Sequence, residues 1–261
     1  MQPVFELFSD IFAYRDNALT RIDTRVKLLL AVVAIIEVLL SGGFAFPLSI
    51  FAATMAAMLA IRMPVRVIAA RFMAPLGIAL VLLVLQSLLV GSTELFTVSG
   101  FGWKLSVMRE GFLEGALLGA RVLGALGMLL LLSSTTKAHN IFQALSWFGV
   151  PKGWIEVSML MYRYIFLLLD QAGDIMDAQR VRLGYARPGH SLSSAGVLAG
   201  TVITNAIDQG VRTCEAMEVR GYKGFMPFGA LPRIPARDLW GLGLVSGAMT
   251  LAFICLKWGA L

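Results

Sequence analysis

ALLGARVLGALGMLLLL, Ala116–Leu132, carries a single charge in seventeen residues. A run of this length and apolarity, extended by small and weakly polar neighbours, predicts a membrane-spanning helix. Four further runs repeat the pattern: Leu28–Leu40, Ile50–Ile61, Gly77–Val90 and Leu239–Cys255. The chain as a whole follows them, with 58% hydrophobic and 15% charged residues and a mean hydropathy of +0.79. Soluble domains are nearer half apolar and a quarter charged. The sequence therefore predicts an all-α polytopic membrane protein of about five transmembrane helices.

The net charge of +6 follows from the same reading. Lys and Arg gather in the cytoplasmic loops of membrane proteins, so the charge argues for a lipid bilayer as partner and against nucleic acid. Arg21, Arg25 and Lys27 precede the first run and predict a cytoplasmic N-terminus in a multi-pass protein of the inner (plasma) membrane. The expected spans are 26–42, 44–61, 72–91, 112–133 and 239–256. Arg62, Arg66 and Arg71 surround Pro64 in an expected cytoplasmic loop. Residues 91–111 form an outside loop with room for a short hairpin across 96–105. No secretory signal is expected in residues 1–24. Cys214 and Cys255 are far apart and suggest neither a disulfide framework nor a metal site.

The composition changes after Ser133. Residues 134–237 hold eleven Lys or Arg and seven Asp or Glu. Three domains follow: transmembrane helices over 1–133, a helical cytoplasmic coupling domain over 134–237, and a last transmembrane helix over 238–261. Within the middle domain a long helix is expected from about 152 to 183, stopping at Gly184. A second starts near Ser191, Ser193 and Ser194, which are good N-cap residues, and stops at Gly221. The apolar pieces 157–169 and 195–207, about 13 residues each, are short for a span and are read as interfacial or buried. Counting both as spans leaves the end orientations unchanged.

The two long helices end alike, in Val181-Arg182-Leu183-Gly184 and Val219-Arg220-Gly221. An Arg in a last turn suits the helix dipole and Gly is the usual terminator, so local physics alone accounts for each. Two matching ends in the one charged domain suggest more. An Arg fork fits a carboxylate on a partner surface, and two such ends fit two equivalent grooves on a dimer.

Here the sequence resembles the T components of energy-coupling-factor importers, in a style closest to the CbiQ group of cobalt importers. Asp23-Thr24-Arg25-Val26-Lys27-Leu28-Leu29 resembles their DPRxKLL lead-in to the first span. Ala178-Gln179-Arg180-Val181-Arg182-Leu183 resembles AQxARG. Glu215-Ala216-Met217-Glu218-Val219-Arg220-Gly221-Tyr222 resembles AMExRGY, and Arg163-Tyr164 with Asp170 precedes the first motif as in the family. Thr24 stands for the usual Pro, Val181 and Val219 for Ala, and Leu183 for Gly. The resemblance implies a non-catalytic subunit that transmits motion from an ATP-binding-cassette ATPase dimer to a substrate-binding S-type membrane subunit. Arg182 and Arg220 would each enter an ATPase groove, flanked by Val181, Leu183, Val219, Gly221, Ala178, Gln179 and Glu218. ATP would sit on the partner subunits, with no cofactor on this chain, which lacks a GxxxxGK[ST] phosphate loop. Close relatives in style serve nickel or vitamin importers.

Glu37 and Arg121 lie inside expected spans, where charges are costly and usually paired. They are read as an intramembrane pair, with Glu114 as the rival partner of Arg121. Gly115/Gly119, Ala120/Gly124 and Gly243/Gly247 form small-residue stripes that let helices approach closely, within this chain or against the S-type subunit. His139 and His190 have no ligand neighbours at metal-site spacing, and the thirteen Met residues fit apolar packing. An autonomous permease would need more polar groups along the spans. An intramembrane enzyme would need a nucleophile–base or metal set, and no catalytic residue is expected.

Overall fold

The computed structural model describes residues 20, 22–91, 94–100, 103–224 and 234–258. Among these residues ten elements follow in order: α1 Thr24–Leu40, α2 Ala45–Ala60, α3 Val65–Leu89, β1 Glu94–Gly100, β2 Trp103–Met108, α4 Arg109–Thr135, α5 Ala138–Trp147, α6 Lys152–Val181, α7 Pro188–Val219 and α8 Ala236–Trp258. Helices dominate, and β1 and β2 pair antiparallel as a hairpin between α3 and α4. Among the described residues α3, α4 and α8 are long and apolar enough to cross a bilayer. At 17 and 16 residues, α1 and α2 rise only about 25 Å. The exterior is that of a membrane protein: Met73 and Leu89 on α3 are each 76% exposed, which water would not tolerate over a broad face.

The chain divides into two compact units, Met1–Ile141 with Pro232–Leu261, and Phe142–Leu231. In the first, α4 is the central helix, and its glycines are the reason. A Cβ on Gly111 would meet the carbonyl oxygens of Gln86 on α3 and of Val90 just past it; on Gly115 it would lie 2.9 Å from Leu83 Cα. One on Gly124 would lie 2.9 Å from the Pro47 oxygen of α2, and one on Gly127 2.8 Å from Thr54 Oγ1. The α4 stripes are thus consumed within the chain, where small residues let backbones touch. At Gly243 and Gly247 of α8 a Cβ would meet nothing within 4 Å.

Apolar clusters fill the rest. Met58, Ile61, Met63, Ile68 and Phe72 form one, with Phe51 edge-on to Phe72 at 5.5 Å. Val38, Phe46 and Ile50 form another, against which Phe253 of α8 packs, its ring 5.3 Å from that of Phe46.

Polar groups at the helix ends tie α1, α4 and α8 together. The Asp23 side chain caps α1 by accepting from the Arg25 N–H at 2.9 Å. Its own N–H donates to Asp238 Oδ2 at 2.8 Å. Lys27 Nζ donates to the Thr135 carbonyl, the last of α4, at 3.0 Å, where a cation is favourable. The lead-in motif therefore has a structural task of its own.

Several boundaries correct the sequence reading. The third helix starts at Val65, directly after Pro64 in an extended conformation, not at 72. Proline is well placed to open a helix, so Arg66 and Arg71 lie on α3 rather than in a loop. Arg71 Nη1 donates to Ser134 Oγ at 2.7 Å. The second long helix begins at Pro188 with Arg187 as N-cap, so none of the three serines caps it; the preset φ of the proline starts it earlier. The expected Glu37–Arg121 pair is not made among the described residues. Arg121 Nη2 donates to the Ser41 carbonyl beyond the last turn of α1, while Glu37 is buried with Oε2 unpartnered. Glu114 accepts from Gln86 Nε2 at 3.4 Å instead of from Arg121. The carbonyls exposed at a helix end are themselves acceptors, and Ser41 reaches the guanidinium first.

Candidate coupling tips

The second unit is built on α6 and α7. Four side-chain links run along the pair. Tyr222, just past α7, donates to Glu156 Oε2 at 2.8 Å. Tyr164 and Thr213 share a hydrogen bond of 2.8 Å. Asn205 Nδ2 lies 3.4 Å from Gln171 Oε1, and Gln179 Nε2 donates to the Ser194 carbonyl at 3.1 Å. Partners that advance along α6 recede along α7, so the helices are antiparallel. α5 is laid on α6 through Phe142 and Tyr162, edge-on at 6.1 Å.

The antiparallel arrangement sends the two C-termini to opposite ends. α6 has 30 residues, a length of about 45 Å. Arg182 lies at its C-terminal end. Arg220 lies near its beginning, since Tyr222 reaches Glu156.

The two ends share one backbone motif. At the end of α6 Leu183 N–H donates to the Arg180 carbonyl at 3.0 Å and Gly184 N–H to Gln179 at 2.9 Å. At the end of α7 Gly221 N–H donates to Glu218 at 2.9 Å and Tyr222 N–H to Met217 at 3.0 Å. Both are the paired hydrogen bonds of a Schellman turn, with Arg182 and Arg220 as the equivalent C-caps. The left-handed position is filled by Leu183, φ +58°, in the first and by Gly221, φ +82°, in the second. Gly184 was expected as the terminator of α6; it falls one residue later, because the motif aligns Leu183 with Gly221.

Each arginine stands in the open beside an apolar neighbour, Val181 at 85% and Val219 at 89% exposure. Ala178 and Glu218 are exposed one turn and two residues before the caps. Gln179 turns inward. It accepts from Tyr185 O–H at 2.7 Å, while Ser194 Oγ donates to the Gly184 carbonyl at 2.9 Å. This latch of Gln179, Gly184, Tyr185 and Ser194 was not foreseen. Its one sequence signal, the serine run, was assigned to capping. The Tyr222–Glu156 link likewise joins residues 66 apart and had no local signal.

His139 on α5 and His190 on α7 are exposed. Among the described residues no three His, Cys, Asp or Glu side chains are grouped to hold a metal ion.

Comparison with known proteins gives a consistent picture. A family model described as CbiQ, cobalt transport protein, matches residues 15–228. An uncharacterized protein of Methanocaldococcus jannaschii is 29% identical over 80% of this chain and 78% of its own. The cobalt transport protein CbiQ of Rhodobacter capsulatus is 32% identical over 44% of this chain and 46% of its own. The energy-coupling factor transporter transmembrane protein EcfT of Clostridium kluyveri is 26% identical over 80% and 81%.

Proposed function

This chain belongs to the CbiQ family of cobalt transport proteins, a membrane component of an energy-coupling-factor transporter, and on that premise we propose that it couples ATP hydrolysis to cobalt import. Its partners are an ATP-binding-cassette ATPase dimer on the cytoplasmic side and an S-type membrane subunit that holds the substrate. The chain crosses the inner membrane five times, with α1, α2, α3, α4 and α8 as spans and a cytoplasmic N-terminus. The unit carrying α6 and α7 lies in the cytosol.

One observation carries this reading. Two exposed arginines occupy equivalent caps at the two ends of an antiparallel helix pair. A dimeric motor offers two grooves, and a rod with an equivalent arginine cap at each end spans them. Each guanidinium pairs with a carboxylate in its groove, and the flanking valine fills an apolar contact. When ATP closes the motor the grooves approach. The paired helices, stiffened by their polar links, transmit that displacement as a unit and tilt the S-type subunit.

The test is the double variant Arg182→Ala, Arg220→Ala, purified from cells that make the whole transporter. The expected result is loss of the ATPase subunits from the purified complex and loss of radioactive cobalt uptake, with the S-type subunit retained. Undiminished ATPase recovery and uptake would overturn the proposal. Uptake of nickel or a vitamin in place of cobalt would keep the coupling role and move the substrate, which the S-type subunit selects.

A further inference from the structure

The two tips share a backbone but not a surface. Leu183 holds a left-handed conformation that glycine adopts freely and a branched side chain resists. Among the described residues of the second unit its side chain finds little packing: Leu183 is 72% exposed. Arg62 makes an instructive contrast. It too is left-handed, φ +58°, after α2, but the next residue, Met63, is 3% exposed in an apolar cluster with Met58 and Phe72, which anchors the turn. The residue after Leu183 is Gly184, which has no side chain to anchor. The first tip is held instead by the hydrogen bonds of Ser194, Gln179 and Tyr185. That latch engages the Gly184 carbonyl and the Gln179 side chain, and it is indifferent to what residue 183 carries. A glycine there would serve the backbone better. What leucine adds is an outward apolar group.

We propose that Leu183 is an apolar anchor that enters the ATPase groove with Arg182 and makes the first tip the tighter of the two grips. This rests on the coupling role proposed above. The first tip offers Val181 and Leu183 on either side of its arginine. Among the described residues the second offers Val219, while Gly221 has no side chain and Tyr222 folds back onto Glu156. The chain therefore loads its motor unequally, with more apolar surface in one groove than in the other.

The test compares Leu183→Ala, Leu183→Gly, Arg182→Ala and Arg220→Ala in the transporter purified through a tag on this chain, reading ATPase subunit dissociation in a dilution series. Burial of most of a leucine side chain corresponds to roughly tenfold in affinity or more. Both Leu183 variants are expected to weaken association about tenfold, although Leu183→Gly relieves the backbone. Arg182→Ala is expected to weaken it more than Arg220→Ala. Parental affinity in Leu183→Ala overturns the anchor. So does weakening in Leu183→Ala that Leu183→Gly restores, since the turn and not the side chain would then decide. If both arginine variants bind as the parent does, the coupling reading itself falls. If they weaken and the Leu183 variants do not, only the anchor falls.

Discussion

Gly115 and Gly243 lie in look-alike stripes, and alanine at each should move stability in opposite directions. At Gly115 the new Cβ would sit 2.9 Å from Leu83 Cα and 3.1 Å from both Gln86 Cβ and the Leu83 carbonyl oxygen. Two of these three atoms are backbone, so α3 must retreat from α4 by several tenths of an ångström. Overpacking of this kind costs about 1–3 kcal/mol, offset by up to about 1 kcal/mol of helix propensity. Gly115→Ala is therefore expected to lose about 1–2 kcal/mol. Gly243→Ala meets nothing within 4 Å and keeps the propensity gain alone. The gap between the variants, about 2–3 kcal/mol, is roughly thirty- to a hundred-and-fiftyfold in the unfolding equilibrium. Titration of each purified variant from mild detergent into dodecyl sulfate, followed by circular dichroism, measures it. Equal midpoints, or a lower midpoint for Gly243→Ala, would refute the assignment of α4 as the close-packed helix.

Two further expectations concern the second unit. Tyr222 donates to the Glu156 carboxylate, and that hydrogen bond holds its phenol above the ordinary tyrosine range. A raised folded pKa contributes stability that is fully present below the unfolded value of about 10 and is lost as pH rises through the folded value. Tyr222→Phe should melt at a lower temperature than the parent near neutral pH and lose that alkaline component, which melting curves from pH 8 to 11 would reveal; identical curves would count against the link. Gly184→Ala places a Cβ 2.6 Å from Ser194 Oγ and 3.0 Å from the Gln179 carbonyl oxygen. It should open the latch at a cost of about 1–2 kcal/mol and speed proteolytic cleavage between 183 and 190; unchanged cleavage would mean that the latch does not hold the tip.

Much of the tip architecture was legible because it is local. An Arg followed by a terminator after a long helical run is written in adjacent residues, so the equivalence of Arg182 and Arg220 followed from the sequence. Which residue takes the left-handed position did not, since glycine at 184 was the natural choice and only the hydrogen-bond register assigns Leu183. Charge placement failed for a related reason. Arg121 had Glu37 and Glu114 as formal partners, but the nearest acceptor was a backbone carbonyl at Ser41, which no side-chain inventory displays.

By itself the sequence determined the class of protein, the long apolar helices and the two arginine ends, because these depend on hydropathy over contiguous stretches and on capping within one turn. Only the tertiary structure decided that the glycines of α4 are used inside the chain while those of α8 stand open. It alone decided that α6 and α7 run antiparallel, which carries their arginines to opposite ends. Both outcomes turn on distances between residues far apart in the chain, and helical periodicity gives each helix a face without saying what will meet it.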